Sequence, residues 1–350
     1  MNYSVFKNKR IMITGHTGFI GSWLTKWLLM LNAEVLGYSL FLPSIPNLYS
    51  ILSVSEKITD IRGDVRNGKH LQEVVADFQP EIVFHLAAQP IVIESYKMPL
   101  KTFQTNVMGT VNVLEALRKS ETVRVVIVMT SDKVYKNKES KYSYREDDLL
   151  GGKDPYSASK SSQDIITGSY RESYFLDSGI AVSTARCGNV IGGGDWGKYR
   201  IIPDIVRGIA ENRIVEIRNP DSVRPWQYIL DLLSGILKLA ENMGKNVSYS
   251  GDWNFGPKRN QGITVKALTE IFMKYWEKGE YTLDVKQKEK EERYLGLNVS
   301  KSISRLGWVP KYSLDQSVKS TVDWYKSYLQ NPKHVKVTTL KKIDEYVKSK

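Results

Sequence analysis

The sequence predicts an α/β protein: a Rossmann-type, doubly wound parallel sheet followed by a smaller C-terminal α+β lobe that holds the substrate. Three observations predict it. Strand-like and helix-like segments alternate through residues 1–187. The strand-like runs are apolar throughout, as expected of strands covered on both faces. A glycine-rich turn, Gly15-His16-Thr17-Gly18-Phe19-Ile20-Gly21, joins the first strand to the first helix.

Arg10–Thr14 (RIMIT) reads as the first strand, and Phe19–Leu31 carries apolar residues at helical spacing. Glu34–Tyr38 is the second strand, Ile58–Arg62 the third and Glu81–Leu86 the fourth. Val107–Lys119 has helical periodicity, Arg124–Met129 is a buried-type strand, and Ile180–Ala185 is another. Crossovers between such parallel strands are right-handed. From about residue 188 the alternation stops and glycines cluster at Gly192, Gly193 and Gly194. We therefore expect a cofactor-binding domain over 1–187, with part of 215–255 able to return to it. A substrate lobe would span 188–330, and a basic tail 331–350, either a surface helix or partly disordered. The charge-dense stretch Lys286–Arg293 reads as a solvated face.

The composition narrows the function. The chain has 350 residues, 41% hydrophobic and 25% charged, which is too balanced for a disordered protein. Apolar runs such as Trp27–Leu31 fall far short of the ~20 residues of a membrane span. The first ten residues lack the apolar core of a signal peptide. Cys187 is the single cysteine and can form no intrachain disulfide, which suits a reducing cytoplasm. The net charge is +12, but the lysines are scattered, with a mild concentration after Lys333. That pattern predicts no nucleic-acid partner, while an anionic small molecule needs only two or three such charges. His16, His70, His85 and His334 are dispersed, and no cluster has metal-ligand spacing, so no metal is expected and each His reads as structural.

In the glycine turn each glycine has a physical use. Gly15 permits a tight turn off the strand, Gly18 lets the backbone approach a pyrophosphate, and Gly21 lets the helix pack closely. Free N–H groups at the helix start would face the phosphates. The usual ribose-binding acid, about 20 residues on, is missing; Tyr38-Ser39-Leu40 stands there. No arginine clearly invites a 2′-phosphate either, so NAD is the expected cofactor. Asp64 can accept from the adenine amino group or serve as a helix N-cap.

Asp154-Pro155-Tyr156-Ser157-Ala158-Ser159-Lys160 carries the second feature. Proline favours a first helical turn, and Tyr156 and Lys160 are then i and i+4 on one face. A nearby ammonium would draw the phenol pKa down and prepare it to take a sugar proton. Thr130-Ser131-Asp132-Lys133 follows a buried strand, where open α/β sheets place their active sites. A turn or cap cluster is the alternative reading of these residues.

These stretches resemble the extended short-chain dehydrogenase/reductase family. The resemblance rests on the Gly15–Gly21 turn, His85-Leu86-Ala87-Ala88-Gln89, Asn106-Val107-Met108-Gly109-Thr110 and the Tyr156/Lys160 pair. Within that family the chain is most similar to the 4,6-dehydratases acting on CDP-glucose, through Thr130–Lys133, Ala185–Trp196, Arg218-Asn219-Pro220, Arg224–Gln227, Trp253–Pro257 and Leu306-Gly307-Trp308. Dehydratases acting on dTDP-glucose carry Thr-Asp-Glu at the triplet. The resemblance implies that Tyr156 deprotonates the sugar 4-OH, Lys133 removes the C5 proton, Asp132 protonates the leaving C6 hydroxyl and Ser131 binds the C4 oxygen. It implies that Lys160 holds the nicotinamide ribose, and that Gly15, Thr17, Gly18, Phe19, Ile20, Gly21, Ser39, Asp64, Val65, Leu86, Ala87, Ala88 and Thr130 contact NAD. Gln89, Asn189, Arg218 and Arg224 would bind the nucleotide-sugar. A homodimer or homotetramer is implied, in deoxysugar biosynthesis of the kind that feeds lipopolysaccharide O-antigen. The chain departs from the pattern where Ile20 replaces lysine, where Ile93 and Glu94 replace nearby arginines, and where Cys187 replaces a small residue and is expected to pack silently. A 4-epimerase or reductase on a nucleotide sugar, and a non-catalytic dinucleotide-binding regulator, remain the alternative readings.

Overall fold

The computed structural model describes residues 3–258, 262–283 and 292–349. Its central sheet has seven parallel strands: β1 (Arg10–Thr14), β2 (Glu34–Ser39), β3 (Thr59–Arg62), β4 (Ile82–His85), β5 (Val125–Met129), β6 (Ala181–Cys187) and β7 (Gly251–Phe255). Their order is β7-β6-β5-β4-β1-β2-β3. β1 pairs with both β2 and β4, so the chain reverses direction across the sheet there. A crevice opens at such a switch point, outside the carboxyl ends of the strands.

Both faces of the sheet are covered at its centre, which is why β4 and β5 read as apolar runs, whereas β3 (TDIR) at the sheet edge is polar and only partly buried. Ile11 and Ile13 face one core cluster, and Met12 between them faces the other. Helices α1 (Phe19–Met30), α2 (Gly68–Phe78), α3 (Gly109–Arg118), α4 (Pro155–Tyr170) and α5 (Ile229–Lys245) flank the sheet. Trp23 and Trp27 of α1 and Leu232 and Ile236 of α5 fill the first cluster. Leu71 and Val75 of α2 and Leu114 and Leu117 of α3 fill the second. Each such fully buried aliphatic side chain contributes roughly 1.5–3 kcal/mol.

Three outcomes are informative against the sequence expectation. The helix expected from Val107 begins at Gly109, because Gln104–Met108 form a π-turn that joins it to a preceding helical segment. Of the 215–255 region, Gly251–Phe255 joins the sheet: β7 pairs with β6 from Gly251–Ser183 to Phe255–Cys187. The end of the chain is ordered, with α6 (Leu314–Gln330) followed by α7 (Val335–Lys348). The second of these buries Val335, Ile343 and Tyr346 and exposes Lys341 and Lys348, while the half-buried Lys342 donates to Ser320 Oγ at 2.9 Å. Trp324 Nε1 donates to Thr339 Oγ1 at 2.8 Å, and the Tyr346 hydroxyl donates to Asp231 Oδ1 at 2.5 Å.

Beyond β6 the backbone makes small pairings rather than a second large sheet. Val190–Ile191 runs parallel to Gln227–Tyr228, and Val215–Ile217 parallel to Tyr281–Leu283. Val223–Arg224 pairs antiparallel with Ile263–Thr264. These segments stand over the carboxyl end of the sheet and close the crevice.

The turn between β1 and α1 is tightly packed against its own backbone. Gly15 has φ +78°. A Cβ on Gly21 would lie 2.2 Å from Gly15 O and 2.7 Å from His16 Cα, both backbone atoms that have nowhere to move. Gly21→Ala is therefore expected to destabilise the chain by about 1–3 kcal/mol. A urea-unfolding midpoint equal to that of the parent would refute this packing account.

Candidate active site

The strand ends and helix starts are built from local chemistry. Ser131 follows β5 in extended conformation, and its Oγ accepts the Lys133 N–H at 3.2 Å, which caps a short 3₁₀ turn over Asp132–Val134. The same hydroxyl donates to Asp132 Oδ1 at 3.0 Å. On the facing element, Asp154 caps α4 by accepting the Ser157 N–H at 3.0 Å, with Pro155 in the first turn. Tyr156 and Lys160 then lie one turn apart on the inner side of α4, both buried.

These residues converge. Ser131, Asp132, Lys133, Tyr156 and Lys160 line one cavity of about 330 Å³. Phe19, Ile20, Leu86, Ala88 and Thr130 line the same cavity, as do Asn189, Arg218 and Arg224.

The electrostatics follow from dryness. Asp132 is 3% exposed and its Oδ2 has no hydrogen-bond partner. Burial raises its pKa, against the opposing pull of Lys133 and Arg224. Burial also lowers the Lys160 pKa to about 8. Tyr156 behaves differently from the expectation. Its pKa is raised, because burial outweighs the hydrogen bond offered by Ser131. Two of the three Lys160 ammonium protons go to Met129 O at 3.2 Å and Gln163 Oε1 at 2.8 Å. Cys187 also lines the cavity, but burial pushes its thiol up to about 12, which leaves it protonated and unreactive.

A buried ion pair locks the two catalytic elements together. Arg186 of β6, 1% exposed, donates to both oxygens of Asp164 on α4, at 2.6 and 3.0 Å. Thr130 at the end of β5 donates to Asp164 Oδ2 at 3.0 Å. Arg186 also reaches the Tyr135 hydroxyl and Asp252 of β7.

The glycine turn fits a dinucleotide. The N-cap of α1 is Gly18, and no side chain caps the helix. Its first-turn N–H groups are left for an anion. Gly15 presses on the Leu86–Ala87 backbone, where a Cβ would lie 2.7 Å from Ala87 N. Ala87 N–H is turned inward to Thr14 Oγ1 at 3.2 Å. Ser39, at the end of β2, accepts the Thr17 N–H at 3.4 Å. Val65 is buried beside Gly109, and Asp64 is gripped by the Arg66 guanidinium, which holds its carboxyl below the usual range.

Not every expected residue reaches the cavity. Gln89 is spent bracing its own loop: Nε2 donates to Ile91 O and Thr102 Oγ1, and Oε1 accepts the Ile91 N–H. Ile20 and Ile93 do line the cavity, so its wall is apolar where the resemblance has basic residues, whereas Glu94 pairs with Lys97 instead. Of the stretch expected to be solvated, residues 286–291 lie outside the described residues. Glu292 is a correction to that expectation: it is 8% exposed, because Tyr294 bridges to Val223 and Asn137 Nδ2 donates to Tyr294 O. Burial raises its pKa against the pull of Lys133.

Sequence reasoning also missed Arg200, which lines the cavity and donates to both Asp195 oxygens at 3.0 Å. Arg218 stacks over the Tyr199 ring at 5.2 Å and reaches Asp204 at 3.6 Å. No spacing marks Arg200 or Tyr199 in the sequence; they come to the cavity through the loop that precedes the helix Ile201–Ala210. His85 is structural as expected, held between Thr14 Oγ1 at 2.7 Å and Thr110 Oγ1 at 3.0 Å.

Fold and cavity together define an α/β chain with a dinucleotide-type turn beside a catalytic Tyr/Lys helix. Comparison with known proteins sharpens that class. A family model described as GDP-mannose 4,6 dehydratase matches residues 12–321. The CDP-glucose 4,6-dehydratase of Salmonella typhimurium is 39% identical over 349 residues, covering 98% of this chain and 97% of that relative. The dTDP-glucose 4,6-dehydratase of Shigella flexneri is 26% identical, covering 90% of this chain. Among solved structures, the dTDP-glucose 4,6-dehydratase of Bacillus anthracis in complex with NAD superposes with TM-score 0.77 at 24% identity, covering 92% of this chain and 98% of that one. The UDP-glucose 4-epimerase of Thermotoga maritima with UDP-glucose superposes at 0.79 and 23% identity, covering 91% and 99%; both likenesses establish the fold alone. The chain belongs to the nucleotide-sugar 4,6-dehydratase family.

The raised Asp132 pKa makes a stability prediction. A carboxyl whose folded pKa exceeds its unfolded value near 4 costs stability as pH rises through that window. Asp132→Asn should therefore unfold at higher denaturant than the parent at pH 7, with the gap closing as pH falls toward 4. A gap that stays constant between those pH values would mean that Asp132 does not titrate as its burial requires.

Proposed function

We propose that this chain converts CDP-glucose to CDP-4-keto-6-deoxyglucose and water, with NAD retained from one turnover to the next. The observation that carries the reading is the adjacency of a buried acid and an amine, Asp132 and Lys133, opposite Tyr156 around one cavity. An epimerase or reductase needs the Tyr/Lys helix but has no use for that second acid–base pair. The identity to a CDP-glucose 4,6-dehydratase supports the choice of base. We further read residues 1–187 with β7 as the cofactor portion and the segments above the crevice as the substrate portion, in a cytoplasmic enzyme with no nucleic-acid partner. No helix among the described residues is long and apolar enough to cross a membrane.

In this reading the bound nicotinamide supplies reversible two-electron chemistry toward the hexose. The chain supplies the rest. Tyr156 must first give up its own proton, which burial opposes; as phenolate it then accepts the proton of the sugar 4-OH, and Ser131 holds the C4 oxygen. A C4 ketone acidifies the C5 proton, and the Lys133 amine is the group that removes it. Asp132, whose proton affinity burial raises, donates to the departing C6 hydroxyl. Lys160 lies one turn from Tyr156, positioned for a ribose hydroxyl. Arg218 and Arg224 would neutralise the diphosphate, with Asn189 beside them. The planar guanidinium suits paired phosphate oxygens.

Incubation with CDP-, dTDP-, GDP- and UDP-hexoses, read by mass spectrometry, tests the reading. Loss of one water from the CDP-hexose, with the absorbance of a 4-keto sugar, is the expected result; inversion at C4 without loss of water would replace this reading with the epimerase one. Lys133→Met should cut 4-keto-6-deoxy product by at least about 100-fold, in the range of a lost general base, while NAD⁺ binding persists. Full turnover in that variant would remove Lys133 from the mechanism.

We also propose a homodimer, or a homotetramer built from it. The segment Pro99–Phe103 and α4 pack on each other and carry exposed apolar side chains, Leu100 at 70% and Ile165 at 58%. A Leu100→Asp/Ile165→Asp double variant should sediment as a monomer. A parent that is itself monomeric would refute the assembly.

A further inference from the structure

Dinucleotide sites that select NAD commonly hold the adenosine ribose with a carboxylate at the end of the second strand. This chain has Ser39 there, and the structure shows what stands behind it. Ser39 Oγ lies 2.9 Å from His16 Nδ1. Across the same ring, His16 Nε2 lies 3.0 Å from Asp60 Oδ1. Asp60 sits on β3, one strand outward, and its other oxygen accepts from the Tyr49 hydroxyl at 2.6 Å and from Arg62 Nη2 at 2.7 Å. The ring is fully buried and packs on Gly37, where any Cβ would lie 2.4 Å from it.

The proton positions along this chain follow from donor and acceptor rules. An ionised carboxylate only accepts, so the Asp60 side of the ring carries the N–H. The other tautomer would set a bare Nε2 lone pair against that carboxylate. Burial pushes the His16 pKa down to about 4, so the ring is neutral at pH 7 and Nδ1 is bare. A bare Nδ1 takes the Ser39 hydroxyl proton. Ser39 Oγ is then an acceptor, with one lone pair toward the Thr17 N–H of the glycine turn and one to spare.

We propose that Asp60 and His16 set the nucleotide preference of this chain. They orient the Ser39 hydroxyl so that it accepts a hydrogen bond from a ribose 2′-hydroxyl and has no proton left for a 2′-phosphate. Phosphate oxygens are acceptors, and two facing acceptors repel. Arg62, the partner of Ser39 across the sheet, is tied to Asp60 and lies over the Tyr49 ring at 5.3 Å, so it is not offered to a phosphate. The missing carboxylate of the second strand is thus replaced by one on the third strand, acting through an imidazole. This proposal rests on the dinucleotide reading above and deepens it.

Dissociation constants for NAD⁺ and NADP⁺, measured by tryptophan fluorescence on the full chain stripped of nucleotide, test it. The parent should favour NAD⁺ by about tenfold or more, the worth of one good hydrogen bond against an unmade one. In Asp60→Asn, Tyr49 and Arg62 both donate and keep the amide oxygen, which turns the NH₂ toward Nε2. The imidazole proton then moves to Nδ1, Ser39 regains a proton to donate, and the preference should fall about tenfold. Ser39→Ala should weaken NAD⁺ and leave NADP⁺ unchanged, a readout that stands if Asp60→Asn does not fold. Tyr49→Phe touches Asp60 but not the relay and should keep the parent ratio. An unchanged ratio in Asp60→Asn with both nucleotides still bound, or an equal loss in Tyr49→Phe, would overturn the relay and leave the dinucleotide reading standing. A parent that binds neither nucleotide would overturn both.

Discussion

The ion pair between Arg186 and Asp164 is the constraint on which the site depends. Neither side chain sees water, and two charges are removed from solvent to make it. Such a pair is a weak source of net stability, yet losing one partner strands a buried charge at a cost of roughly 3–5 kcal/mol. Its value here is positional. Asp164 belongs to the helix that carries Tyr156 and Lys160, and it also accepts from Thr130, the residue before Ser131. The pair therefore holds the end of β5 and the inner face of α4 at one separation. A slip of either element would break a buried charge contact before it moved a catalytic group far.

Dryness does the chemical tuning in that fixed frame. The same burial raises the carboxyl of Asp132 and the phenol of Tyr156 and lowers the ammonium of Lys160, since each is pushed toward its neutral form. Proximity in sequence is a poor guide to such effects. Lys160 stands one helical turn from Tyr156 but directs its protons to a carbonyl and an amide. The expectation that it would by itself acidify the phenol fails because burial of Tyr156 is the dominant influence on it and raises its pKa. His16, which reads as a mere structural histidine, turns out to connect the glycine turn to two strands, again because burial keeps its ring neutral.

Much of this was legible before folding. Strands β1, β2, β4 and β5 are legible as short, largely apolar runs, because parallel strands covered on both faces have little polar side to show, whereas β3 (TDIR) is an only partly buried edge strand. The glycine turn and the Tyr156/Lys160 spacing are legible for the same kind of reason: a positive φ, a close backbone approach and a helical repeat each constrain a residue type locally. β7 was only half legible, since Asp252 and Asn254 interrupt its apolar pattern. Those polar residues are explained only by Arg186 and Tyr135, which they meet across the sheet. That the Gln89 side chain braces its own loop was not legible, nor was the burial of Glu292, because a dense charge run looks solvated until the neighbouring Tyr294 is seen bridged to Val223.

The sequence by itself determined the fold class, the dinucleotide-type turn and the residue types of the catalytic set, because these rest on interactions between near neighbours in the chain. The tertiary structure alone decided which of those groups share a cavity, which lysine is committed elsewhere, and that Arg200, Asp60 and Glu292 matter at all. Burial and long-range pairing set proton affinity and hydrogen-bond direction. Both depend on what packs against a side chain, and a linear order of residues carries no record of that.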